Sequence, residues 1–147
     1  MSWTSPRTWV AGEVPTATNF NTHVRDNFKA IGDAWTAWTP TVTAETGTFT
    51  TVAGAGRYMA AGKLITFSVT ITITTVGTAA NGVRFTLPVN ARASGVYLGS
   101  GRETASTGMH LQCYANAVST GQVNKYDGLT PIGAGYTLSL SGAYEAA

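Results

Sequence analysis

The sequence predicts a mainly β protein. An antiparallel β-sandwich or jelly-roll-like domain over residues 39–147 follows an extended arm over 1–15 and a short helix with its linker over 16–38. Three observations support this. The stretch "LITFSVTITITT", residues 64–75, places Ile65, Phe67, Val69, Ile71 and Ile73 on one side of an extended chain and hydroxyls on the other. That strict period of two marks a strand with one buried and one wet face, about twice the usual five or six residues long. Second, 25 of the 147 residues are Thr and 17 are Gly, and β-branched Thr fits a pleated surface better than a helix. Third, turn signals recur every 8 to 12 residues beyond position 39, the rhythm of an all-β sandwich.

From the N-terminus, "MSWTSPRTWVAGEVP" has neither helical nor strand periodicity, and Pro6, Gly12 and Pro15 interrupt what pattern there is. It reads as an arm. Trp3 and Trp9 either dock on another surface or fold back on the protein's own core, because two tryptophans on a free tail would expose much apolar area. Residues 16–32, "TATNFNTHVRDNFKAIG", read as the helix, with Thr16 as N-cap and Gly32 at the C-terminal glycine position. Phe20, Val24, Phe28 and Ile31 form one apolar stripe, with Asn27 beside it where a buried amide can set register. At roughly 24 Å the helix must pack to be stable, either on its own β domain or against copies of itself around an axis.

From residue 39 onward the chain reads as strands and turns. "TPTVTA" leads into a turn at Glu45-Thr46-Gly47, then "TFTTV", with "AGAG" (53–56) as a loose connection. Ala61-Gly62 turns into the long strand, and Asn81-Gly82 carries the strongest two-residue hairpin signal. Val83, Phe85 and Leu87 alternate inward until Pro88 ends the strand. "SGVYLGSGRET", "GMHLQCYANAV" and "GYTLSLSGAY" supply further strands. The polar segment "YANAVSTGQVNKYDG" (114–128) reads either as an ordinary connection or as a gripping loop for sugars or a partner surface, through Tyr114, Asn116, Gln122, Asn124, Tyr126 and Asp127.

Length predicts one compact domain. The hydrophobic fraction of 44% suffices for a core, while the charged fraction of 11% is under half of the roughly 25% usual for soluble domains. Net charge is +2, and Lys and Arg are scattered with no two adjacent, which argues against a nucleic-acid partner. A single cysteine, Cys113, rules out an internal disulfide and reads as a small buried residue. No apolar run reaches the roughly 18 residues of a membrane span, and the N-terminus has no signal-peptide core. The expectation is a protein made in a cytoplasm, unprocessed, without a membrane partner.

No catalytic or metal constellation is visible. The seven carboxylates are dispersed, His23, His110 and Cys113 make no cluster, and "GAGR" and "GSGR" read as turns because neither precedes a helix. The expectation is a non-enzyme without cofactor or metal.

Two stretches resemble known proteins. "TWVAGEVPTATNFNTHVRDNF" (8–28) resembles the N-terminal segment of structural proteins of tailed bacteriophages that infect actinobacteria: Trp9, then Gly12-Glu13, a Thr-containing step, and Asn21-Thr22-His23-Val24-Arg25-Asp26-Asn27. Residues 38–91 are similar to β-rich modules of phage tail, fibre and spike proteins, in the Trp38-x-Pro40 strand, the Tyr58-x-x-x-Gly62-Lys63 hairpin and the aromatic-x-Leu-Pro ending at Pro88. Residues 92–147 carry no such signature. The resemblance implies a virion structural protein that is homotrimeric, assembled with other phage virion proteins and displaying its β domain outward for a host surface such as a cell-wall glycan. On that basis Trp3 and Trp9 are assigned to virion anchoring. Phe20, Val24, Asn27, Phe28 and Ile31 are assigned to the trimer contact, and Tyr114, Asn116, Asn124, Tyr126 and Asp127 to the receptor. The chain is shorter than typical tail fibres, with no repetitive shaft. Capsid decoration, as a head-fibre protein, is therefore the alternative, followed by a monomeric carbohydrate-binding module.

Overall fold

The computed structural model describes residues 4–32 and 34–147; Trp3 lies outside them. Nine strands form one antiparallel sheet: β1 Thr36–Trp38, β2 Val42–Thr46, β3 Thr51–Ala61, β4 Leu64–Thr75, β5 Ala80–Thr86, β6 Tyr97–Glu103, β7 His110–Ala117, β8 Thr120–Lys125 and β9 Tyr136–Glu145. Their order across the sheet is β1-β3-β4-β9-β6-β7-β8-β5-β2.

That order forces the sheet to curl. β1 and β2 lie at opposite edges, yet only residues 39–41 join them, and so short a link spans at most about 14 Å. Laid flat, nine strands would be roughly 38 Å wide. The sheet therefore rolls until its edges nearly meet. Thr86 N donates to Thr41 O at 3.1 Å and Thr41 N to Thr86 Oγ1 at 3.0 Å, which extends the β2–β5 ladder into the link. Pro40 of the link is buried over Gly54 of β3, where the edges meet.

The interior of the roll is the core. β4 is its spine, paired from Leu64 to Ile73 with β3 on one side and β9 on the other, so nearly all of a twelve-residue strand has partners on both sides. Ile65, Phe67, Val69, Ile71 and Ile73 point inward and are at most 1% exposed, the face that strict alternation predicts. They meet Val83 and Phe85 of β5, Leu98 of β6, Leu111 and Cys113 of β7, and Leu138 and Leu140 of β9. Phe67 stacks against Phe85 and Tyr144 with ring centres 6.4 and 5.9 Å apart. Trp38 closes the seam over Phe85 at 6.0 Å, so the sheet takes its first strand from within the stretch read as linker. The Tyr144 hydroxyl donates to Val89 O at 2.7 Å; burial, opposed by that bond and reinforced by the nearby Tyr58, pushes its pKa up to about 12.

Several local readings change. "AGAG" is the middle of β3. A Cβ on Gly54 would stand 2.7 Å from Pro40, and one on Gly56 2.4 Å from the Trp38 ring, so these glycines let the seam close over β3. The Gly62-Lys63 turn, with Gly62 at φ 63°, joins β3 to β4 as expected, and the glycine suits its first position. Asn81-Gly82 is no hairpin turn. It lies inside β5, where Asn81 adopts φ 65° opposite an irregularity in β2. The polar segment 114–128 contains β8, which pairs with β7 and β5.

The helix runs as α1 Ala17–Phe20, a wider-turned stretch Asn21–Arg25 and α2 Asp26–Gly32. Thr16 Oγ1 accepts from Asn19 N at 3.2 Å, the cap expected of it. α2 lies against β3 and buries Asn27 and Ala30. The stripe is not the buried face: Phe20, Phe28 and Ile31 are 52, 72 and 50% exposed and Val24 is half-buried.

Candidate functional site

The outer face of β7, β8, β5 and β2 bears a polar row, because residues opposite one another in register point to the same side. Tyr114 stands opposite Gln122, Gln122 opposite Arg84 and Arg84 opposite Thr43. Gln122 is 2% exposed although it faces outward, because its neighbours close over it. Its Oε1 accepts from Arg84 Nε at 3.0 Å, and its Nε2 donates to Glu45 Oε2 at 3.1 Å and to Asn124 Oδ1 at 3.5 Å. Arg84 Nη2 reaches Glu45 Oε1 at 3.2 Å, and Gly82 N donates to Glu45 Oε2 at 3.1 Å. A buried amide thus locks a carboxylate, a guanidinium and a second amide into one arrangement, which makes the network rigid.

A cleft of about 360 Å³ opens beside this network, lined by Glu45, Asn81, Gly82, Asn124 and the Gly128–Thr130 turn. It exists because position 82 is glycine: a Cβ there would stand 2.7 Å from both Asn124 Oδ1 and Gln122 Nε2. The wall is pre-formed. Lys125 N donates to Leu129 O and Gly128 N to Lys125 O, each at 3.0 Å, and Asp127 Oδ1 accepts from Leu129 N at 3.0 Å, while Gly128 takes φ 80°.

The receptor residues predicted from sequence divide here. Asn124 lines the cleft, Asp127 shapes its wall, and Tyr126, 73% exposed, belongs to the same turn. Tyr114 is half-buried beside Gln122. Asn116 sits at the far end of β7, roughly 13 Å along the strand from the position opposite Asn124. Sequence reasoning missed Glu45 and Asn81, which read as turn residues. Their only signal was that Asn-Gly also suits a bulge.

The arm forms a second surface. Asn27 Nδ2 donates to Thr4 O at 2.8 Å and to His23 O at 3.2 Å, and Asn27 Oδ1 accepts from Thr4 N at 3.0 Å. Within one chain Asn27 therefore pins the arm to the helix. Trp9 packs on Phe20 at 5.9 Å with the Arg7 guanidinium 5.3 Å from its ring centre, and it is 39% exposed. Arg7 also pairs with Glu13. Trp9 thus folds back on the helix, not on the β core. Val10 and Val14 are 70 and 85% exposed.

Glu103 is fully buried at the end of β6. Burial alone would raise its pKa, but N–H groups of Thr107, Thr137, Ser106 and Ala105 outweigh that and hold the carboxyl far below its ordinary range. Its oxygens are committed to holding the loop after β6. Burial pushes the Cys113 thiol up to about 12. Among the described residues no three His, Cys, Asp or Glu gather as metal ligands, and no helix is long and apolar enough to cross a membrane. No family model, curated protein or solved structure matches the chain.

Proposed function

We propose that this chain is a non-enzymatic structural protein of a bacteriophage particle. It acts as a short homotrimeric fibre or spike, anchored through its N-terminal arm beside other virion proteins, with a sandwich-like β domain turned towards the host surface at the tail. The observation that supports this reading best is apolar surface that one chain leaves uncovered: Phe20, Phe28 and Ile31 on the helix, with Val10 and Val14 on the arm that Asn27 ties to it. Surface of this kind marks an interaction site. An apolar stripe on a helix too short to be stable alone suits two further copies of itself around an axis. The outer face of β3, β4 and β9 is compatible with such neighbours, since its rows Ala53–Thr72–Thr137 and Ala55–Thr70–Ser139 carry no charge. The sequence resemblance over residues 8–91 supplies the virion setting.

Light scattering on the purified protein tests the reading. A species near three times 15.3 kDa, converted to monomer by Val24→Glu with Phe28→Glu, is expected; a monomeric wild type overturns the trimer. Incorporation into particles tests the arm: Trp3→Ala with Trp9→Ala should abolish it, and unchanged incorporation overturns the anchor. Labelling of tails or of capsids in intact particles separates a tail fibre from a capsid decoration protein.

A further inference from the structure

We infer that the cleft beside Gln122 binds a neutral, hydroxyl-rich ligand, a carbohydrate, gripped by Asn124, Asn81 and Glu45 against the Leu129 wall. This deepens the host-surface contact proposed above and rests on that reading for the source of the sugar; the chemistry rests on the cleft alone.

The charges exclude ionic ligands first. Glu45 is the one charged residue lining the cleft, so an anion entering it meets a carboxylate, while a cation meets a carboxylate already paired with Arg84. Neither gains a net attraction to offset its desolvation. The unused hydrogen-bonding capacity then points to hydroxyls. Asn124 Oδ1 is turned towards Gln122, and among the described residues its Nδ2 makes no hydrogen bond, which leaves two donors. Asn81 Nδ2 donates to Thr46 Oγ1 at 3.0 Å, which leaves its Oδ1 as an acceptor. Glu45 accepts three bonds, from Gly82 N, Arg84 Nη2 and Gln122 Nε2, of about four that a carboxylate can take. Donors and acceptors therefore lie side by side, and a sugar hydroxyl is both at once.

The apolar part of a sugar is met as well. Leu129 lines the cleft and is 60% exposed, a surface for the C–H face of a pyranose ring. The volume of about 360 Å³ falls within the roughly 300–1,000 Å³ of small-molecule sites. Gln122, nearly fully buried, holds the polar groups before any ligand arrives, so little ordering entropy is lost on binding.

The test is titration of the full chain, followed by calorimetry and saturation-transfer NMR, with neutral hexose, pentose and N-acetylhexosamine oligosaccharides beside uronic-acid and phosphate-bearing counterparts. At least one neutral oligosaccharide should bind with Kd on the order of 0.1–1 mM, unchanged over roughly 0.05 to 0.5 M salt. Asn124→Ala should weaken binding about tenfold or more. Leu129→Asp, on the exposed turn, should do the same without loss of fold by circular dichroism. No binding of any neutral oligosaccharide, binding confined to charged ones, or binding that survives both variants overturns the inference. Solution mass measured on the same samples separates the two readings. A trimer that binds no sugar removes the cleft inference alone, and a monomer that binds sugar removes the fibre reading alone.

Discussion

Glu103 sits at the end of β6 with no exposed surface, and both of its oxygens accept backbone N–H groups. Four of the donors, the N–H groups of Ala105, Ser106, Thr107 and Gly108, belong to the loop after β6 and one, Thr137 N, to β9, so a single carboxylate joins a loop to a core strand. Its folded pKa lies far below the ordinary 4.5. The stabilisation is therefore complete above the unfolded value, from about pH 5 upward, and is lost as pH falls towards the folded one. Glu103→Gln should lower Tm at pH 7 by about 6–10 °C, since several N–H groups lose a charged acceptor. It should also flatten the fall of Tm between roughly pH 5 and 3. Thermal melts across that range check both, and a variant with the wild-type acid slope would contradict this account. Cys113 offers a second measurement: a thiol buried in the core and pushed up to about 12 should react with a disulfide reagent at pH 8 at least about 100-fold more slowly in the folded protein than in denaturant. Burial of Cys113 was legible from its apolar neighbours. The role of Glu103 was not, because its partners are backbone groups that a sequence does not display.

At the scale of elements, what could be read is whatever repeats with a fixed period. β4 was plain because ten consecutive positions alternate and its inward set is entirely buried. The helix was plain from its Thr16 cap and its apolar spacing, although spacing alone could not say which face packs. The buried residues of α2 are Asn27 and Ala30: the small Ala30 suits close approach of the helix, and the Asn27 amide clasps the arm. β8 was missed because its inward positions are Gly121 and Val123, too little apolar signal for a strand. Gly121 faces inward so that Phe85 fits: a Cβ there would stand 2.6 Å from the ring. The glycines of β3 misled for the same reason, reading as flexibility where they provide space. Gly56→Ala should therefore destabilise the protein by about 2–3 kcal/mol through collision with Trp38, with a matching loss in denaturant midpoint and a red shift of Trp fluorescence as the seam opens. An unchanged midpoint would mean that Trp38 does not hold the seam.

For the whole molecule the governing fact is closure: strands adjacent in sequence, β1 and β2, end on opposite edges of one sheet and are brought together by its curl. The exposed helix and arm project apolar surface from this body, and mass action gives a prediction that the fold of one chain does not. If copies associate through the stripe, Tm should rise with protein concentration. In the Val24→Glu, Phe28→Glu variant it should not, while the β domain, whose core involves neither residue, keeps its circular dichroism spectrum. A wild-type Tm independent of concentration over a hundredfold range would count against association.

From the sequence alone came the mainly β, antiparallel character of the domain, the buried face of β4, the hairpin at Gly62, the helix and the chemistry of its stripe. All of these follow from local periodicity, propensity and turn geometry, which act between residues close in the chain. The tertiary structure alone decided the sheet order, the seam over the β3 glycines, the insertion of β8 and the union of Glu45, Asn81 and Asn124 around Gln122. Those residues are separated by up to 79 positions, from Glu45 to Asn124. Only strand pairing between segments far apart in the chain, β2 with β5 and β5 with β8, sets them side by side.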